Sequence, residues 1–557
     1  MNLAKLGLAG LSAAQNRLQT AGHNINNAAT DGFNRQTVLS ATAGATSTHA
    51  GYIGRGVQAV TVQRAYDNFL SRQLVAAQTT GASVATYGKE ITQINNLFAD
   101  RTVGITPALQ KFFDGIQAVA SAPADSAARQ ELLGRAASLV SQINDSNAFL
   151  DSQRANINTQ MTTVVTQINS YVEGVRDLNA QITTARASSS QHEPNDLLDQ
   201  RDQLVSELSQ LINVNVIEQD GNFNLTIGNG QVLLGGSTVF PLHAQPSAGD
   251  PSRTAIAYTA SVTGGNMTTV ELRESAVTGG SLGGLLAYRR EALDAVQNDL
   301  GRLAVGLATS VNAIHKTGAD MKGVDGGDFF TLGGVKILPA SGQPAAPTLS
   351  VSIADANKLT GQDYRFEYVG TGYQVTRLPD GTPTPLAVDT TGKGTIDGLT
   401  FEFSGAAAAG SWVIQPTRDA GGSLKLVIDD PAKIAAAGKG KDASGNDIPH
   451  GSSNGDTALA LAKLQTEKVL GNSSMSLNES FSRIVNKVGV LTQQNSTAAK
   501  AQATLIQQNF AAQQAVSGVN LNEEYVNLDR FQEQFRAASR LIDVSSTLFD
   551  TLLGLRN

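Results

Sequence analysis

The sequence predicts an elongated α+β protein of nested, discontinuous domains. Three observations point to it: matching amphipathic helices at the two ends, long helical repeats inside them, and a change to short strands only in the middle. In the last stretch, Leu528, Phe531, Phe535, Ala538, Ile542, Ser545, Phe549 and Leu552 recur at alternating steps of three and four, one helical seam. A second row, Leu541, Leu548 and Leu555, lies beside it, so the apolar face is wider than one partner helix needs. Leu11, Ala14, Leu18, Ala21 and Ile25 repeat the spacing near the start. With 557 residues, the chain is too long for a single core at about 100 to 200 residues per domain.

Composition removes several classes of function. The net charge is -7, from 41 basic and 48 acidic residues without a basic block, which argues against a nucleic-acid groove. There is no cysteine, so disulfides and thiolate sites are excluded. No run approaches eighteen apolar residues, and the opening MNLAKLGLAGLSAAQNRLQT turns polar too early for a cleaved signal peptide.

Taken in order, the first helix runs into AGHNINNAATDGFNRQTV, where Asn24, Asn26 and Asn27 crowd its end and Asp31-Gly32 makes a turn. GYIGRGVQAVTVQRAYDNFL at 51–70 reads as a strand or hairpin feeding a helix. Leu132 to Ile182 reads as one long helix, with seam positions that include Val164 and Tyr171 and a slip of register between Leu150 and Met161. A helix over 195–211 follows, then strands with hairpin turns at Asp220-Gly221 and Asn229-Gly230. After the glycines of 278–284, Leu286, Leu293, Leu300, Leu307 and Ile314 mark a third long helix, and Leu477, Ile484 and Leu491 a fourth. Between them lie YRFEYVGTGYQVTRL, GLTFEFSG, GSWVIQPT and GSLKLVIDD, short strands with regular turns, and a polar stretch at 436–456 expected to be a mobile loop.

Pairing each outer segment with its opposite number yields three layers. Residues 1–38 and 518–557 form a terminal coiled-coil domain, and 39–324 with 457–517 a long-helix bundle carrying β-hairpins. Residues 325–456 form an inserted β-rich domain.

No stretch reads as an active site. His315, Asp320, Asp325 and Asp328 lack HExxH spacing, and Phe329 and Phe330 stand where a calcium loop would end in Glu. A turn packed by two aromatics is the expectation. GGSLGG at 279–284 and GKGT at 392–395 lack the context of a phosphate cradle and read as helix-entry or turn glycines. No catalytic, cofactor or metal residue is assigned.

The run Asn24, Asn26, Asn27, Thr30, Gly32, Phe33 and Arg35 resembles the N-terminal motif of the flagellar rod, hook and hook-associated proteins. PNDLLDQRDQLVSELSQLINV, GGSLGGLLAYR, VNAIHKTGADMKGVDGGDFF, IQPTRDAGGSLKLVIDDPAKIAAA and SGVNLNEEYVNLDRFQEQFRAASRLI are similar, more specifically, to the hook-associated protein 1 family of hook–filament junction proteins. Asp31 departs from the Pro common at that turn, and the likeness fades over 340–410 and 438–456. The resemblance implies a structural protein exported through the flagellar type III apparatus without a cleaved signal, located in the extracellular flagellum. It implies a ring of axial subunits at the hook tip, with terminal segments that order on assembly. It further implies as partners the hook protein, the next junction protein and an export chaperone on the C-terminal helix, and neither nucleic acid nor membrane insertion. Leu11, Leu18, Ile25, Leu528, Phe531, Phe535, Ile542, Phe549 and Leu552 are then the expected interface. The alternatives are another axial subunit (rod, hook or flagellin-type), or a carbohydrate-binding protein acting through the β insert.

Overall fold

The computed structural model describes residues 3–555 except 50, 100–103, 189–191, 220–221, 264–265, 341–347, 371, 380, 390–391, 405–409, 442–443 and 445–446. The helices among the described residues are numbered in chain order: α1 Leu3–Asn26, α2 Asn68–Ala99, α3 Ile105–Ser121, α4 Ser126–Ser188, α5 Asn195–Leu211, α6 Gly280–Tyr288, α7 Asp294–His315, α8 Ala420–Ser423, α9 Asp456–Lys463, α10 Leu477–Ser517 and α11 Leu521–Gly554. α1 packs on α11 and α2 on α10, so segments from opposite ends of the chain lie together.

The body is organised along α4, whose 63 residues span about 95 Å at 1.5 Å per residue. Its buried positions alternate steps of four and three through Leu132, Ala136, Leu139, Ile143, Ser146, Leu150, Gln153 and Ile157. Two further steps of four then run from Ile157 through Met161 to Val165. The slip therefore falls between Ile157 and Met161, within the expected interval. It also carries the seam one residue further than expected: Val165 and Val172 are buried on it, whereas Val164 and Tyr171 are half-buried beside it. α2 and α3 add Ile91, Ile94, Phe112, Phe113 and Ile116 to the same core.

Two antiparallel sheets pack on α4. One contains Val214–Gln219, Asn222–Ile227, Val232–Gly235 and Thr238–Val239, the other Leu242–Pro246, Thr254–Thr263 and Asn266–Glu271. Gly230 has φ +86° in the expected Asn229-Gly230 turn; the Asp220-Gly221 turn lies outside the described residues. α6 runs into α7 through a π-helical turn, Arg289–Leu293. α10 starts at a capping box between Ser476 and Glu479.

The strand-rich insert has its own core. A five-stranded sheet orders Lys336–Pro339, Ser411–Gln415, Tyr364–Val369, Gly372–Arg377 and Pro383–Leu386, and Thr348–Ile353, Leu399–Ser404 and Lys393–Ile396 form a second sheet. Phe366 and Tyr373 of the first sheet meet Phe401 and Phe403 of the second, with Trp412 against Phe366 and the Tyr373 and Phe403 rings stacked 4.1 Å apart.

Three further expectations need correction. Phe329, Phe330, Leu424, Ile434 and Ala436 belong to the body's core, so the insert's own core draws on a shorter segment than 325–456. The 436–456 stretch pairs Lys439–Lys441 with Asp447–Pro449, its backbone bonds supplying order that its polarity conceals; residues 442–443 and 445–446 lie outside the described residues. The hairpin of Gln36–Thr42 with Val57–Arg64 packs on α1, across the expected boundary at 38/39.

A buried charge network joins insert to body. Asp294 forms ion pairs with Arg154 at 2.8 Å and Arg253 at 2.9 Å, with Arg418 at 3.3 Å; Arg418 also pairs with Asp363. Burial opposes ionisation of Asp294, but Arg253, Arg418, Arg154 and Arg289 outweigh it and hold the carboxyl well below its ordinary value. A depressed acid stabilises the fold above the unfolded-state pKa and loses that contribution as pH falls below about 4. Asp294→Asn is expected to cost about 3–5 kcal/mol at pH 7, because it strips charge from a buried network. In urea titrations the deficit should narrow on acidification below about pH 4; an unchanged midpoint at pH 7 would refute the assignment.

Candidate functional site

The two ends of the chain meet as an antiparallel helix pair. A side chain added at Gly7 would stand 2.7 Å from Ile542 Cγ1 and 3.1 Å from the Ala538 carbonyl oxygen, so glycine sets the distance of approach. Gly10 faces Ala538 in the same way. Toward the other end, Arg17 donates to Gln534 Oε1 at 2.9 Å and lies over the Phe531 ring, and it also donates to Ser40 Oγ of the hairpin at 3.0 Å. This register sets Leu3 near the level of Ser545. Phe549 and Leu552 lie beyond it and are 62% and 65% exposed.

The expected seam is thus divided. Leu528, Phe531, Phe535 and Ile542 are half-buried and Ala538 is buried, whereas the second row, Leu541, Leu548 and Leu555, is exposed. On α1 the buried residues are Gly7, Ala13, Ala14, Ala21 and Asn24; Leu11, Leu18 and Ile25 are half-buried. Small residues, rather than the leucines, make the closest approach. That signal was visible in the sequence as Gly7, Ala14 and Ala21 seven apart.

The Asn-rich motif builds the joint between this pair and the body. Asn24 is buried and clamps the Gln36 backbone twice, donating to its carbonyl and accepting from its N–H, both at 2.9 Å. Asn27 donates to the His23 carbonyl at 3.0 Å and accepts from Thr30 at 3.2 Å. Gly32 takes φ +78°, with Gln203 2.8 Å from where a Cβ would lie. Phe33 meets the His23 ring edge-on, and Asn26 is exposed. Arg35 donates to Glu524 at 2.7 Å and Glu523 at 3.2 Å, and its N–H to the Ser517 carbonyl at 2.9 Å, locking the motif to the α10–α11 junction.

Asp199 of α5 completes the joint. Its carboxylate accepts from the Asn34 backbone at 2.9 Å, the Asn34 side chain at 2.7 Å and Arg64 at 2.8 Å, while Asp202 accepts from the same Arg64 nitrogen at 2.8 Å. Burial pushes the Asp199 carboxyl above its ordinary value, and the bonds from Asn34 and Arg64 pull the other way. Asp196 accepts from Gln36 at 2.7 Å. Asn34, Gln36, Arg64, Asp196, Asp199, Asp202 and Glu524 were not singled out in the sequence, since pairing across such separations leaves no periodic trace.

Elsewhere the acidic and histidine residues serve the fold. His315 is buried between the Gly327 carbonyl and the Ala435 N–H, each at 2.8 Å, and burial lowers its pKa, which suits the neutral ring that accepts from Ala435. Asp320 caps its own turn, and Asp325 and Asp328 pair with Lys439 and Lys316. Phe329 and Phe330 pack against Phe112, closing the turn with two aromatics.

Known proteins share this architecture. Residues 91–330 match the model described as flagellar hook-associated protein FlgK helical domain, and 340–416 match flagellar hook-associated protein 1, D2-like domain. The flagellar hook-associated protein 1 of Salmonella typhimurium strain LT2 is 38% identical, over 100% of both chains. The chain belongs to the flagellar hook-associated protein 1 family. Its namesake in Escherichia coli K12 is 36% identical, again over 100% of both chains. The solved flagellar hook junction protein FlgK from Burkholderia pseudomallei is similar at TM-score 0.74 and 29% identity, covering 80% of this chain and 100% of that one. These matches favour a hook-associated protein 1 over the other axial subunits and over a carbohydrate-binding protein. The Asn-rich N-terminal stretch and the 194–214 segment are, in this fold, the two halves of one polar joint.

Two substitutions test the geometry. Gly7→Leu should separate α1 from α11 at a cost of about 1–3 kcal/mol, seen as faster amide exchange over residues 5–20 with α4 unchanged. Asp199→Ala should strand Asn34 without its acceptor and leave Arg64 with Asp202 alone, at about 1–3 kcal/mol, and speed exchange at Asn34 and Gln36; native rates there would contradict the proposed joint.

Proposed function

We propose that the chain is an axial subunit that assembles as a ring at the hook tip and joins hook to filament. Its membership of the hook-associated protein 1 family makes it a structural component of the flagellum. The finer reading rests chiefly on one observation: α11 carries more apolar surface than α1 covers. Leu548, Phe549 and Leu552 remain exposed while Ala538 is buried. Each large apolar side chain taken from water contributes about 1.5–3 kcal/mol, so a packed array of such helices gains what a solitary pair lacks.

In this reading the contacts are heterologous, one side of a subunit against a different side of the next, because such contacts generate rings and helical arrays. The hook protein lies on one side and the next junction protein on the other. Before assembly an export chaperone covers the same face of α11, in a helix-in-groove arrangement with anchors one turn apart. Export is without a cleaved signal peptide, the destination is the extracellular hook–filament boundary, and no catalytic step is involved. The terminal helices reach their final order only on assembly. The terminal helices with the hairpin packed on α1, the helical bundle and the β insert act as three successive layers.

Two variants separate the roles of the face. Phe549→Asp with Leu552→Asp alters only exposed positions, so the isolated chain should keep its circular dichroism and urea midpoint while losing junction assembly and at least tenfold in chaperone affinity. Phe535→Asp with Ile542→Asp should do the same and also loosen α1. Normal filament growth with unchanged chaperone affinity in both would sink the proposal.

A further inference from the structure

Between α7, α10 and the loop before Tyr364 lies a cleft of about 300 Å³, remote in sequence from the terminal helices and unused by the assembly reading. Its inner wall is neutralised, since Arg253 and Arg418 pair with Asp294 and Asp363. Its outer wall is not. Of its cations Arg302, Arg483 and Lys487, two share a single carboxylate, Asp299, from which Arg302 stands at 3.3 Å and Lys487 at 3.7 Å. Both distances exceed the ~2.7–2.9 Å of a direct charge-assisted bond. Arg483 has no carboxylate partner among the described residues; its nearest polar contact is the Met475 sulfur at 3.6 Å.

Two further features point to a ligand rather than to an untidy salt bridge. Arg302 is only 5% exposed, yet its Nε–H has no acceptor among the described residues, a costly state for a buried guanidinium. In front of that nitrogen stands Gly361, φ +73°, where a Cβ would come within 3.7 Å of Nε and 3.0 Å of Asp299 Oδ1. The glycine leaves the space beside that nitrogen open. Arg483 and Lys487, four residues apart, present their charges from one face of α10 to the same opening.

Three cations against one carboxylate leave two positive charges to be met. We propose that this cleft binds a small divalent oxyanion, hydrogen phosphate or sulfate, which accepts from Arg302 Nε and bridges to Arg483 and Lys487. Bound there, it ties α10 to α7 at the root of the β insert.

Isothermal titration of the full chain with sodium phosphate and with sodium sulfate, against sodium chloride at matched ionic strength, tests the site. Saturable one-to-one binding of phosphate or sulfate is expected, weakened at least tenfold by Arg483→Gln with Lys487→Gln, whose side chains lie at the cleft's rim. Arg302→Gln should weaken it similarly; should that buried substitution disturb folding, the rim variant still decides. Absence of saturable heat, or equal binding by wild type and the rim variant, would overturn the proposal. A non-saturating rise in thermal stability shared by both would count against it too, because sulfate and phosphate stabilise folded proteins generally by exclusion from their surfaces.

Discussion

One helix can cover only one stripe of another, and α11 carries two. α1 meets the first stripe with glycine and alanine, which bring the backbones close and keep the pair narrow. The hairpin of Gln36–Thr42 with Val57–Arg64 occupies another side of α1, so α1 has partners on two sides while α11 rests mainly on α1. This asymmetry runs through the molecule: the body and the insert each bury an aromatic-centred core of their own, and the apolar surface left over is concentrated at the C-terminal end.

Polar contacts tie the helix pair to the body. Asn24, Asn34, Arg35 and Arg64 each meet a specific acceptor; Asn34 and Arg64 converge on Asp199 of α5, and Arg35 reaches Glu524 of α11. Apolar contact tolerates sliding, whereas directed hydrogen bonds fail when geometry changes by an ångström or a few tens of degrees. A joint of this kind fixes the angle of the pair relative to the body. The same logic recurs at the insert, where Asp294 and Asp363 gather arginines from α4, the body's sheet and the segment after the last insert strand.

Periodicity along the chain was enough to recognise α4, α7, α10 and α11, because a helix that buries one face writes its geometry into residue spacing. The order of those helices suggested the nesting of the layers, and a change of period between α7 and α10 the strand-rich insert. Short motifs spread over the chain were enough for the family. Within α4 the phase of the seam after the slip was misread, because the adjacent pairs Val164-Val165 and Tyr171-Val172 offer an apolar residue at either phase and only packing selects the second of each. The order at 436–456 was missed because backbone pairing between Lys439–Lys441 and Asp447–Pro449 does not depend on hydrophobicity.

The sequence by itself determined that two long amphipathic helices stand at the ends and that one has a face too wide for the other, since local spacing decides which side chains share a face. Only the tertiary structure decided which part of that face is already covered. It showed Ile542 against Gly7 and Phe549 past the end of the contact, a matter of register between segments more than five hundred residues apart. It likewise decided that the Asn-rich motif and Asp199 form one joint, and that Arg302, Arg483 and Lys487 surround one cleft. Contacts between residues distant in sequence depend on how the elements pack, and no spacing within a single element records them.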